Sequence, residues 1–291
     1  MKAKIVWEEK NIEHGEGVIF DNKNNVVLWV DILGKKLFRY DFNNEKHNSW
    51  NMPEYIGCVV LTQIKDEVLV LLKNSIKKFN LSSNTFSDLV TFTEEPENNR
   101  FNDGFVDTHG RFWVGSMDFK GEESTGVLYC VNKDLTYEIK DSGYNVVNGP
   151  TISHDNKTLY VNETKSGKIF SFNYNLDNGN IGNKKLFKKF KKNEGLPDGL
   201  TVDTEGGVWV AAVLAGCVRR FSSDGKLDQE IKIPSPIVTS CKFGGLNNST
   251  LYVTTSKILM DNNTLKNNPL SGSLFSVETS FQGLKSNRFF I

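Results

Sequence analysis

Cysteine and histidine are scarce in this chain, with four of each among 291 residues. Cys58, Cys130, Cys217 and Cys241 lie far apart, with no Cys-x-x-Cys and no matching histidine pairs. Zinc-finger and redox-motif chemistry are excluded on that spacing, and buried free thiols in strands are expected instead. Charge of one sign is not in excess either. Lys plus Arg and Asp plus Glu number 35 each, which leaves no global field to draw the protein onto nucleic acid or a membrane surface. No apolar run is long enough to span a bilayer, and the Met1-Lys2-Ala3-Lys4 start continues into charged sequence. The expectation is a cytoplasmic protein without a secretory signal. No stretch shows the period of a long amphipathic helix.

What the chain has instead is a repeat. A polar turn followed by a β-rich run recurs at Phe20-Asp21 to Trp29-Val30-Asp31, Ile64 to Leu72, Val106-Asp107 to Trp113-Val114, Ile152 to Val161, Val202-Asp203 to Trp209-Val210, and Phe243 to Val253. Most copies continue into a second alternating strand, such as Lys36-Leu37-Phe38-Arg39-Tyr40 or Lys168-Ile169-Phe170-Ser171-Phe172. Six copies at a period of roughly 40–50 residues, each holding several short strands, describe propeller blades. Residues 1–291 are therefore expected to form one all-β domain, a six-bladed β-propeller with four-stranded antiparallel blades. The strand-like Lys4-Ile5-Val6-Trp7 and the tail Asn287-Arg288-Phe289-Phe290-Ile291 are expected to complete one terminal blade between them. Lys184 to Lys192 interleaves bases with aromatics, and it reads as the lysine-coated outer strand of a blade, which discourages edge pairing.

The site is sought where equivalent loops meet at the channel mouth. Glu16 in His14-Gly15-Glu16-Gly17, Asn148 in Val147-Asn148-Gly149-Pro150 and Asp198 in Gly195-Leu196-Pro197-Asp198-Gly199 each stand at the head of a different blade. They are expected to converge on the axis. An oxygen-only set without His or Cys suits one divalent cation: Ca²⁺, Mg²⁺ or Mn²⁺, with Zn²⁺ by opportunistic occupancy. Asp198, presented in a Pro/Gly turn, also suits a general base. Arg100 and Asn102, two apart on an extended segment, face the same way and offer donors and acceptors to a hydroxylated or carbonyl-bearing substrate.

These segments carry a resemblance. Gly15-Glu16-Gly17, Trp29-Val30-Asp31-Ile32, Arg100-Phe101-Asn102-Asp103-Gly104, Gly110-Arg111-Phe112-Trp113-Val114-Gly115-Ser116-Met117, Asn148-Gly149-Pro150, Leu196-Pro197-Asp198-Gly199 and Pro236 to Gly245 occur in the order seen in one family. The chain resembles the senescence-marker-protein/gluconolactonase/luciferin-regenerating-enzyme family, the regucalcin-like proteins, over essentially its full length. The resemblance implies a six-bladed propeller with one divalent cation held at Glu16, Asn148 and Asp198, and substrate contacts at Arg100 and Asn102. It also implies an acidic contact shortly after Met117. Lys120 stands at that place, leaving Glu122 or Glu123 to supply the contact, or no residue; Glu122 is the one assigned to substrate. The activity implied is metal-dependent hydrolysis of a small-molecule lactone or ester, most simply a sugar lactone, with Asp198 activating water. An organophosphate or aryl-ester hydrolase on the same metal site, a hydrolase of nitrile-type substrates and a non-enzymatic calcium-responsive regulator are the alternatives.

Overall fold

The computed structural model of the chain describes residues 1–8 and 11–290. Six antiparallel four-stranded sheets follow one another along the chain, and their first strands are Gly15–Asp21, Cys58–Thr62, Asn99–Val106, Val147–Ile152, Leu196–Val202 and Val238–Gly244. Each of these strands packs against the first strand of the next sheet, and the sixth returns to the first. The ring is closed, and the six repeats read from the sequence are its six blades.

The strands form where they do because the turns between them are chemically specified. In blade 3, Asp107 Oδ1 accepts the backbone N–H groups of His109 and Arg111 across the tight turn, while its Oδ2 accepts Trp113 Nε1–H and the Arg111 guanidinium. Asp203 in blade 5 does the same for Glu205, Gly207, Trp209 and Arg220. One carboxylate thus ends the inner strand, starts the second and pins the indole that fills the gap between blades. Trp113 and Trp209 are fully buried, the first edge-on to Tyr174 at 5.6 Å and the second to Phe243 at 5.4 Å, a favourable aromatic geometry. The run around Lys184 is the outermost strand of blade 4, Asn180–Lys189, as its pattern implied. All four cysteines are buried free thiols. Among the described residues no helix is long and apolar enough to cross a membrane.

The two ends of the chain part company. Lys4–Trp7 pairs antiparallel with Leu274–Glu278 and completes blade 6 alone. The tail, expected beside it, instead crosses the underside of the channel. Arg288–Phe289 adds to blade 2 as a parallel strand beside Cys58–Thr62, and Asn287 donates to the Val106 carbonyl of blade 3; Ile291 lies outside the described residues. The tail goes there because Phe289 finds an apolar slot between blades 2 and 3, where it is 1% exposed. Leu284 to Asn287 line a cavity of about 70 Å³ together with residues of the inner strands. Phe289→Ala is expected to lower the unfolding free energy by about 3–5 kcal/mol, measured by urea denaturation. A change under about 1 kcal/mol would mean that the tail is not part of the cooperative fold.

Candidate functional site

Five of the six inner strands slip register near their heads: between Glu16 and Ile19, Phe101 and Gly104, Asn148 and Thr151, Pro197 and Leu200, and Val238 and Ser240. Such bulges re-aim side chains out of the regular alternation, and Glu16, Asn102, Asp103, Asn148 and Asp198 all lie within or at the edge of one. The sequence placed Asp198 in a turn before a strand, whereas the Pro/Gly cluster is a bulge inside the strand Leu196–Val202. Gly149 shows why glycine is needed. Its φ is +52°, and a Cβ there would sit 2.6 Å from the Leu200 backbone nitrogen of the next blade.

Of the three expected ligands, Glu16 and Asp198 meet directly, and Asn148 is linked to them through Asn102 and Arg100. Glu16, Asn148 and Asp198 are 4%, 4% and 5% exposed, and the Glu16 and Asp198 carboxyl groups lie within hydrogen-bonding reach of each other. Glu16 Oε2 accepts Gly17 N–H at 2.6 Å. Asp198 Oδ1 is buried with no partner, and so is Asn162 Oδ1, whose amide nitrogen donates to the Asp198 carbonyl. The orientation of the Asn148 amide follows from counting donors. Thr164 donates its only hydroxyl proton to the Pro197 carbonyl, so it must accept from Asn148 Nδ2 at 2.9 Å, and Asn148 Oδ1 is turned toward Asn102.

Arg100 and Asn102 do face the same way, and they are joined. Arg100 Nη1 donates to Asn102 Oδ1 at 2.7 Å and to the Phe101 carbonyl. Asn102 Nδ2 donates to Asn148 Oδ1 at 2.6 Å and to the Val147 carbonyl. The amide hydrogens of Asn102 are thereby used inside the protein, while Arg100 keeps Nε and Nη2 for another partner. Glu122 is exposed on the rim, in the turn that Asp118 fastens by accepting the Glu122 and Glu123 backbone N–H groups.

Charge at the centre is unbalanced. Burial, followed by repulsion from Asp103, raises the Glu16 carboxyl to about 8; burial, followed by repulsion from Glu16 and Asp103, raises Asp198 well above its ordinary value. Arg100 is lowered to about 10 by burial, against the pull of Glu16 and Asp198, and stays cationic near neutrality. Two neighbours were not singled out in the sequence. Asp103 shares the motif of a carboxylate or amide before glycine with Glu16, Asn148 and Asp198, and that motif was the available signal. Both its oxygens are taken by backbone N–H groups, Gly104 at 2.7 Å and Gly149 at 2.8 Å. It therefore braces the Asn148 bulge and adds negative charge. His14, lowered to about 3 by burial and then by Arg100, is a neutral imidazole whose Nδ1 is 3.0 Å from Ser256 Oγ; no spacing announced it.

A pattern describing the SMP-30/gluconolactonase/LRE-like region matches residues 14–257, the span that carries every group just described. The chain belongs to that family. It is 34% identical to regucalcin of Danio rerio over 280 residues, covering 95% of this chain and 94% of that one. A luciferin-regenerating enzyme of known structure superposes with a TM-score of 0.93 at 25% identity, over 100% of this chain and 99% of the other. A calcium-binding protein, regucalcin, from Agrobacterium tumefaciens gives a TM-score of 0.95 over 100% and 98% at 22% identity, a likeness of fold alone. The SMP-30/gluconolactonase/LRE-like region thus spans the first strands of all six blades.

Proposed function

We propose that this chain is a divalent-cation-dependent hydrolase of cyclic esters, with sugar lactones as its substrate class. The observation that carries the reading is the meeting of Glu16 and Asp198, with Asp198 Oδ1 unpartnered among the described residues and the free side of Arg100 nearby. The donor set fits a hard cation. Two carboxylates meet, the Asn148 amide oxygen is joined to them through Asn102 and Arg100, Asp103 adds a third carboxylate, and a buried oxygen lone pair is left unsatisfied, which is costly unless something positive or protic meets it. Glu16, Asn148 and Asp198 would hold the ion, and calcium is named for the Agrobacterium relative. A bound divalent cation supplies Lewis-acid polarisation of an ester carbonyl.

The chain's own residues supply the rest. Asp198 would take a proton from the attacking water through the carboxylate oxygen turned away from the ion. Arg100, buried and cationic, offers Nε–H and Nη2–H to the hydroxyl oxygens on the substrate ring. Asn102 holds the guanidinium on one side and Asn148 Oδ1 on the other, so it positions both. A pocket that meets hydroxyl groups in this way discriminates against analogues that lack them, because its buried polar groups are then left unpaired.

The test is an assay of glucono-δ-lactone against phenyl acetate, with the chelated protein and with Ca²⁺, Mg²⁺, Mn²⁺ or Zn²⁺ returned. Arg100→Lys keeps the charge and loses the fork. It is expected to lower kcat/KM on the lactone by about tenfold, the worth of one buried hydrogen bond, and to change the aryl ester by less than about threefold. Asn102→Ala is expected to cost both substrates alike, since it releases Asn148. Turnover of the aryl ester alone would move the reading to an aryl-ester hydrolase. Turnover of neither substrate with any of these metals would leave the calcium-responsive regulator.

A further inference from the structure

Beside the channel mouth lies a cavity of about 550 Å³ whose lining includes Tyr55, Lys73, Glu97, Phe119, Lys120 and Glu122. Its place follows from topology. Tyr55 stands in the loop leading to the head of Cys58–Thr62, and Phe119 directly follows Phe112–Asp118, whose Met117 pairs with Arg100. Tyr55 also lies within electrostatic range of Arg100, and the Lys73 carbonyl accepts Phe101 N–H at 2.8 Å. Tyr55 thus links the cavity lining to the neighbourhood of the guanidinium.

Its chemistry is distinctive. Tyr55 and Phe119 pack with centroids 5.0 Å apart, and Lys35 Nζ sits 4.8 Å from the Tyr55 ring centre. That lysine covers Tyr55, whereas Phe119 is 41% exposed and presents a ring to the cavity. Around this aromatic floor the side chains of Lys73, Lys120, Glu97 and Glu122 form no direct ion pair with one another or with the rest of the described residues; Lys120 is only near enough to Asp118 to feel its charge. An exposed phenyl face at Phe119, backed by the tilted Tyr55 ring and rimmed by donors and acceptors free of ion pairs, matches a sugar ring, which offers C–H groups on its face and hydroxyls round its edge. An aryl group would use the floor and leave the rim unpaired.

We infer that this cavity is a second sugar subsite, so that the preferred substrate is the lactone of a disaccharide, its lactone ring at Arg100 and its non-reducing ring stacked on Phe119. The inference rests on the lactonase reading above and deepens it. It also gives Glu122 a partner, the hydroxyls of the second ring, and makes Lys120 a donor to that ring.

The experiment compares kcat/KM for cellobiono-δ-lactone and glucono-δ-lactone in the intact protein and in Phe119→Ala. The disaccharide is expected to be preferred by about tenfold, through KM, in line with one stacking contact plus a rim hydrogen bond. In Phe119→Ala the ratio is expected to fall toward unity, and in Phe119→Trp to be retained. A ratio near unity in the wild type, or one unchanged by Phe119→Ala, overturns the inference. If neither lactone is hydrolysed, the lactonase reading fails separately, and the subsite is read from binding of cellobiitol by saturation-transfer NMR. Transfer to the glucosyl ring that disappears in Phe119→Ala upholds the subsite; no transfer in the wild type overturns it.

Discussion

Asp198→Asn is expected to reduce kcat on a sugar lactone by about 10²-fold or more while leaving the fold intact. The replacement is isosteric, so the bulge at Pro197 to Leu200 and the Asn162 contact to the Asp198 carbonyl both survive. An amide oxygen still coordinates a cation, but it does not take the proton of the attacking water. The variant also loses one of three crowded carboxylates, which removes repulsion rather than adding it. Cation occupancy is therefore to be measured by calorimetry alongside the rate, so that loss of ion and loss of base are separated. A rate within a few-fold of the wild type at full occupancy would remove Asp198 as the base.

Glu16→Gln is expected to weaken divalent-cation binding by at least about tenfold, since a hard ion loses a full anionic ligand while the side-chain shape is kept. Gly17 N–H, which Glu16 Oε2 accepts at 2.6 Å, still finds an acceptor in the amide oxygen of the replacement, so the local bulge is preserved. The readout is the calorimetric dissociation constant in calcium and, separately, in magnesium. Unchanged affinity in both would place the ion elsewhere, and the convergence of Glu16 with Asp198 would then need another explanation.

The candidate site was legible in the sequence as far as each residue could be recognised within its own repeat. Glu16, Asn148 and Asp198 each announce themselves by an oxygen-bearing side chain before glycine at the head of a blade. Asp103 carries the same mark, yet its role follows from an acceptor pair that spans blades: one oxygen takes its neighbour Gly104 and the other takes Gly149, 46 residues on. Asn102 read as a substrate contact because amide and guanidinium lie two apart on one strand. Its amide hydrogens are donated to Asn148 and the Val147 carbonyl of the next blade, contacts that no spacing within one repeat shows. His14 had no signal, because burial and the nearness of Arg100 belong to the assembled ring.

The sequence by itself determined the number of blades and the four-stranded sheets, because each is written locally: alternating apolar residues set a strand, and an Asp accepting turn amides sets its end. Only the tertiary structure decided the rest. It turned an anticipated loop at Asp198 into a bulge, sent the tail to blade 2 because Phe289 fits there, and set Tyr55 against Phe119 beside Arg100. Those outcomes depend on which side chains meet across a blade boundary, and contacts between residues tens of positions apart are fixed by closure of the ring rather than by the pattern within any one repeat.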